Sequence, residues 1–568
     1  MRRRTSVFAA GSLALALALT LSQPALPQQV AAAPLSQVDS WGVGGLGANE
    51  ASVPAAFWSN TTGDALAPVF TAIQAKDLSP AGRALLRRIV LSKSKAPSGG
   101  NALVPERLRL IEQLGENAFS ADLRKRYADT DWGKSGDRLA VEMDLLGGQK
   151  DACSRIQGKS AGDKTLMPLR AFCAALNGDF NAASLIGEQI ADADESFGVW
   201  LLAAIENIQE PTKTKPDGRY GSPFEAAVSM AAKLNVPAGA MNATPSDVAA
   251  AITRSGSATL EQRRAALRPA LDGGEIKAST VLAVLTAKDE TPAAPPPKQS
   301  GRVQPPRPDL LAQALATFAD AQAKPDARAA AYAAALRGAE TMSDARLVST
   351  ALGDAVKALP KTDATLPFAE TFARAALFNG DTKQASDWRK HMASVPKEQL
   401  DAWALARLDL MFSYAGATSE KPGAILDRLI AAAPPPAPPE PGKAAAPTPK
   451  NPTPADKQLD LRRIENARVL FLYAGTGRDL AAAQRALLAT QRAAGRGVSD
   501  AAITRIASAI DQNANGEAAV AIISLLGPDT SALSFAGLSD LLSQLRRIGF
   551  EKDADAIALE SLQAWKGL

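Results

Sequence analysis

Apolar residues along most of this chain recur at intervals of three and four, the spacing that gathers side chains on one face of an α-helix. Within 166–176, Leu166, Leu169, Phe172, Cys173 and Leu176 form such a stripe. Pro168 falls in its first turn, where a missing N–H breaks no hydrogen bond. The same spacing predicts helices over 310–336, 459–473 and 536–548. Strand-like alternation is scarce, and the short Val/Ile clusters have Ala-rich neighbours, so the expected fold class is all-α.

Two segments interrupt the helical pattern. Residues 291–308 (TPAAPPPKQSGRVQPPRP) and 433–455, which contain APPPAPPEPGKAAAPTPKNPTP, are dense in proline. Proline fixes φ and removes an amide donor, so neither segment suits a helix interior or a sheet. They read as semi-rigid linkers between helical domains at 33–290, 309–432 and 456–568. At the N-terminus, Arg2, Arg3 and Arg4 precede an apolar run from Val7 to Leu21, and Val30-Ala31-Ala32 offers small residues for cleavage. That pattern predicts a signal peptide over 1–32, because its apolar core of about 15 residues is shorter than the ~20 a spanning helix needs. The expected destination is outside the cytosol, periplasmic first and extracellular second, with no transmembrane segment in the remaining chain.

Glycines punctuate the helices at a repeated kind of junction. Gly148, Gly178, Gly380, Gly477 and Gly549 each follow an amphipathic stretch and precede an alanine four or five places on. Glycine supplies the left-handed C-cap that stops the first helix, and alanine lets the second approach its partner. The stretches 174–183 (AALNGDFNAA) and 375–385 (AALFNGDTKQA) resemble the mid-repeat turn of tetratricopeptide (TPR) helical hairpins. The glycines fall at irregular intervals rather than in a 34-residue register, and the full aromatic and proline pattern of a TPR is missing. The resemblance implies an irregular α-solenoid, in which each hairpin buries its apolar face against its neighbours and the stack offers surfaces to other proteins.

Cys153 and Cys173 are the only cysteines. With one helix ending near Gln157 and the next starting near Met167, their heights on antiparallel helices differ by only ~3 Å at 1.5 Å per residue. A disulfide is therefore expected, stabilising the fold by about 3 kcal/mol in the chain-entropy picture. The pair lacks the C-x-x-C spacing of a redox or zinc site.

Composition narrows the chemistry. One histidine, His391, stands between Lys390 and Met392 with no G-x-S-x-G elbow in the chain, so no nucleophilic triad is expected. Lys+Arg 63 nearly balance Asp+Glu 59, and pairs such as Arg87-Arg88 and Arg263-Arg264 read as solvated helix faces rather than a phosphate track. Gly42-Val43-Gly44-Gly45-Leu46-Gly47 satisfies G-x-G-x-x-G without a strand before it or a βαβ unit after it. Glu195-Ser196-Phe197 is similar to the Glu-Ser pair around the catalytic acid of lytic transglycosylases, but the Gly-Leu-Met-Gln element of that family is absent. Phe197 and Trp200 are expected in a core. Asp192/Asp194 and Asp553/Asp555 have i,i+2 spacing, which points them to different sides of a helix. No catalytic residue, cofactor or metal is assigned. The expectation is an exported, non-enzymatic scaffold or adaptor for other cell-envelope proteins. A module that binds or cleaves cell-wall glycan is the first alternative, and a structural component of an envelope appendage the second.

Overall fold

Caps decide where the helices begin. The computed structural model describes residues 39–157, 163–212, 215–287, 309–396, 398–435, 453–490 and 495–563. The expected signal peptide, the linker 291–308 and positions 436–452 of the second linker lie outside these residues. Among the described residues there are 26 α-helices and no strand, with three isolated β-bridges. Among the described residues no helix is long and apolar enough to cross a membrane.

Before the first proline-rich segment come α1 (Gly63–Ala72), α2 (Pro80–Leu91), α3 (Val104–Gln113), α4 (Asn117–Arg126), α5 (Gly136–Leu146), α6 (Ser154–Gln157) and α7 (Met167–Leu176). They continue as α8 (Phe180–Ala191), α9 (Glu195–Gln209), α10 (Pro223–Ala231), α11 (Ser246–Arg254), α12 (Leu260–Asp272) and α13 (Ala278–Thr286). Between the two segments are α14 (Leu310–Ala319), α15 (Pro325–Gly338), α16 (Met342–Lys357), α17 (Ala369–Phe378), α18 (Thr382–Ala393), α19 (Ala402–Tyr414) and α20 (Pro422–Ala432). After the second come α21 (Pro454–Gly475), α22 (Ala482–Thr490), α23 (Asp500–Asp511), α24 (Asn515–Leu526), α25 (Phe535–Arg547) and α26 (Glu551–Leu562).

Capping boxes start α12 (Thr259 with Gln262), α16 (Thr341 with Asp344) and α21 (Thr453 with Asp456), each satisfying two orphan amides at once. The helix expected over 310–336 is two helices. Lys324 is extended, as the proline that follows it demands, and Pro325 opens α15. The apolar period runs through the break because α14 and α15 pack on each other as a hairpin.

The five junction glycines all adopt the left-handed conformation, with φ from 67° at Gly477 to 86° at Gly549. Each makes the paired Schellman bonds: Gly178 N–H donates to Ala175 O at 3.1 Å and Asp179 N–H to Ala174 O at 2.9 Å, and Gly380 and Asp381 repeat this onto Leu377 and Ala376. The same closure occurs at Gly115, Gly274 and Gly416, and at two residues with a side chain, Lys233 and Asn513. Alanines after the turn are buried at Ala152, Ala183, Ala385 and Ala554. At Gly477 the pattern differs: Ala481 and Ala482 are exposed, and Gln484 is the buried residue.

Cys153 and Cys173 have Sγ atoms 2.05 Å apart and Cα atoms 5.7 Å apart. Cys173 is in α7, but Cys153 closes a 3₁₀ turn, Lys150–Cys153, because the Gly147-Gly148 stop ends α5 before it.

Buried apolar residues form one continuous cluster from Trp41 to Leu562, and Asp39–Leu568 group as one unit. Within it the packing runs in a circuit. α2 packs on α3, α3 on α4, α4 on α5, α5 on α11, α11 on α12, α12 on α16, α16 on α17, α17 on α19, α19 on α26, and α26 returns to α2. The return is specific: Ser79 N–H donates to Gly527 O at 2.9 Å, Gly516 N–H to Phe57 O at 3.1 Å, and the Phe57 and Phe550 rings meet at 5.7 Å. Arg88 pairs with Asp553 and lies 4.7 Å from the Phe550 ring centre.

Candidate functional site

The sequence's chemical candidates are dispersed. Glu195 lies exposed in the first turn of α9, whose cap is Asp194 accepting from Phe197 N–H at 3.1 Å. Phe197 and Trp200 instead build an apolar corner, with ring centres 5.7 Å apart and Arg219 stacked 5.0 Å over Trp200. His391 Nε2 lies 3.1 Å from Thr362 O, so the imidazole is spent on a loop carbonyl. Asp553 turns to Arg88 and Asp555 to Arg478 at 2.8 Å, two different neighbours, as their i,i+2 spacing requires.

Gly42 to Gly47 feed no phosphate-binding helix. Gly45 N–H donates to Leu91 O at 2.8 Å, and a Cβ at Gly44 would sit 2.9 Å from Lys93 N, so these glycines allow the entry segment to lie against the chain after α2. The arginine pairs are not simply solvated. Arg87 joins Glu50 and Glu116, Arg88 joins Asp553, and Arg264 donates to Ala287 O at 2.8 Å.

One cavity of about 380 Å³ lies where the helical circuit closes. From α2 it takes Pro80, Arg83, Ala84 and Arg87, and from α26 and its C-cap Ala556, Leu559, Glu560 and Gln563. Both sets have the i, i+3, i+4, i+7 spacing of a single helix face. The Schellman turn after α12 contributes Asp272 to Glu275, and the turn after α3 contributes Leu114 and Glu116. Arg346 of α16 and Leu377 and Phe378 of α17 complete the lining.

The charged groups around this cavity are unevenly paired. Arg87 is paired twice, its Nε 2.6 Å from Glu116 and its Nη1 on Glu50. Glu560 is buried and accepts from Ala81 N–H at 2.8 Å and Thr530 Oγ1 at 3.2 Å; burial nevertheless pushes its carboxyl above the ordinary range. Burial also raises Glu275, with the charge of Glu116 adding to it. Arg83 spends Nε on Ala75 O, and its Nη1 stands 3.7 Å from Asp272 Oδ2, beyond hydrogen-bond reach. Arg346 donates only to the backbone oxygen of Asp272, at 3.3 Å, and burial lowers its pKa.

Two residues of the lining each carry a buried polar atom without a partner. Asp272 Oδ2 accepts from Ser343 Oγ, but Oδ1 is buried without a donor. Gln563 is 1% exposed, and its Nε2 is buried without an acceptor. Sequence reading did not mark these residues. The i, i+3, i+4, i+7 spacing is local to each of α2 and α26, but nothing in either stretch says that two helices separated by residues 92–550 lie side by side. Among the described residues no cluster of His, Cys, Asp or Glu has metal-binding geometry. No protein-family model, curated protein or solved structure matches this chain.

Proposed function

We propose that this chain is a non-enzymatic helical scaffold, exported from the cytosol, that docks other proteins of the cell envelope on its outer helical faces. In this reading its hairpins are an irregular α-solenoid bent until its first and last layers meet. The observation that carries the docking function is the exposure of large apolar side chains on helix surfaces. Leu461 and Ile464, one turn apart on α21, are 44% and 53% exposed; Leu185 and Val199, on the two helices of the α8–α9 hairpin, are 58% and 55% exposed. Large aliphatic groups left in water suit a partner's apolar surface.

Photo-crosslinking tests this in cells that produce the protein. A crosslinker at position 464 or 199 should yield a discrete adduct with another protein, and Ile464→Asp or Val199→Asp should abolish it while the melting temperature is unchanged. Crosslinkers at these positions that give no adduct, in a protein of normal stability, would remove the basis for the reading.

A further inference from the structure

We propose that the cavity at the closure of the circuit binds a small zwitterion, an amino acid or a short peptide with an apolar side chain. This stands apart from the docking surfaces and does not depend on the scaffold reading.

Size comes first: about 380 Å³ falls in the range of small-molecule sites. Unused hydrogen-bonding capacity comes second. Native proteins rarely leave buried polar atoms unpaired, because each has lost its water without replacement. Here Asp272 Oδ1 and Gln563 Nε2 are both in that condition and both belong to residues lining the same cavity. The Asp272 side chain is only 6% exposed, so solvent does not relieve it.

Charge sets the ligand's polarity. Arg83 and Arg346 both neighbour Asp272, yet neither is within hydrogen-bond distance of its carboxylate. Two guanidinium groups thus share one carboxylate, and a ligand carboxylate would supply the second negative charge in the planar form arginine binds best. The opposite requirement comes from Asp272 Oδ1, which needs an N–H donor. It lies at the C-terminal end of α12, the negative pole of the helix dipole, and Glu275 directly follows the turn glycine Gly274. An α-amino group meets that requirement. Gln563 Nε2 then has a carbonyl or carboxylate oxygen to donate to. Leu377, Phe378 and Leu559 provide an apolar wall for the side chain.

Calorimetry on the full chain with leucylglycine tests the proposal, using acetate and isopentylamine as the two halves of the ligand. The dipeptide is expected to bind with a Kd of about 1 mM or below, and neither half is expected to bind at about 10 mM. Arg346→Gln and Asp272→Asn should each weaken binding by about tenfold or more. Gln563→Leu guards against misfolding as an explanation: it fills the same space without a polar group, so it should keep or raise the melting temperature while still weakening the dipeptide. No heat with leucylglycine, acetate binding as tightly as the dipeptide, or unchanged affinity in Arg346→Gln would each overturn the assignment.

Discussion

Arg107 shows how this helical protein treats a single buried charge. It is 0% exposed, and its donors reach three carbonyl oxygens: Val90 at 2.9 Å, Ser40 at 3.0 Å and Val43 at 3.2 Å. With the Trp41 ring 4.8 Å away, it ties the irregular entry segment to α2 and α3. Burial pulls its guanidinium down to about 10, which still leaves it charged at neutral pH. Glu142 of α5 is the converse case, since a carboxyl titrates within reach. Burial pushes it up from 4.5 to about 7, the Arg138 charge opposing this and those of Glu112 and Glu225 adding to it. A carboxyl raised on folding is favoured while protonated, so its contribution is complete below pH 4.5 and disappears as pH rises through about 7. Glu142→Gln should therefore flatten the stability profile across that window and stabilise the protein at pH 8 by about 2 to 3 kcal/mol relative to wild type. Urea midpoints measured at pH 5 and pH 8 check it; a variant that keeps the wild-type pH slope would contradict the burial argument.

At the level of helices, the turn glycines separate two costs that are usually confounded. At Gly380 a Cβ would meet nothing within 4 Å, so Gly380→Ala bears only the strain of φ 75° and should cost about 1 kcal/mol. At Gly516, in the first turn of α24, a Cβ would lie 2.2 Å from the Trp58 ring. Gly516→Ala has to displace a fully buried indole and should cost about 3 kcal/mol or more. Thermal melts of the two variants rank the effects, and equal shifts would show that the Trp58 contact is soft. These same turns mark how far sequence reading reaches. The all-α class and five helix stops were legible because glycine at a left-handed cap has a local cause. The stops at Lys233 and Asn513 were not, because there the helix-end bonds hold a residue with a Cβ at positive φ. The split at Pro325 was hidden by an alanine-rich stripe that continues on both sides of the turn. Gly115 and Gly274 were as legible as Gly178 and went unread, and these are the turns that border the cavity.

Across the whole described unit, α2 packs on both α24 and α26, so helices from the two ends of the described chain share an interface. Helices at an open end of a structure fray most readily, whereas here the first and last helices cover each other. Asp553, which accepts from Arg88, therefore bears on both halves at once. Burial pushes its carboxyl up, and the Arg88 charge counters this. Asp553→Asn should lower stability by about 1 to 3 kcal/mol, leaving Arg88 without its counter-charge. In native-state hydrogen exchange, amides in both α2 and α26 should lose protection together. Protection lost in α26 alone would mean that the closing contact is not coupled across the circuit.

Because Phe57 and Trp58 find their cover in Gly516 and Phe550, the first layer of this protein cannot be finished when it is made. A ribosome adding about 5 to 20 residues per second needs on the order of half a minute to a minute and a half to pass from one to the other. Throughout that interval Phe57 and Trp58 have only their own layer, Trp41 and Phe70, to pack against, and it is then that a chaperone has most to offer the nascent chain.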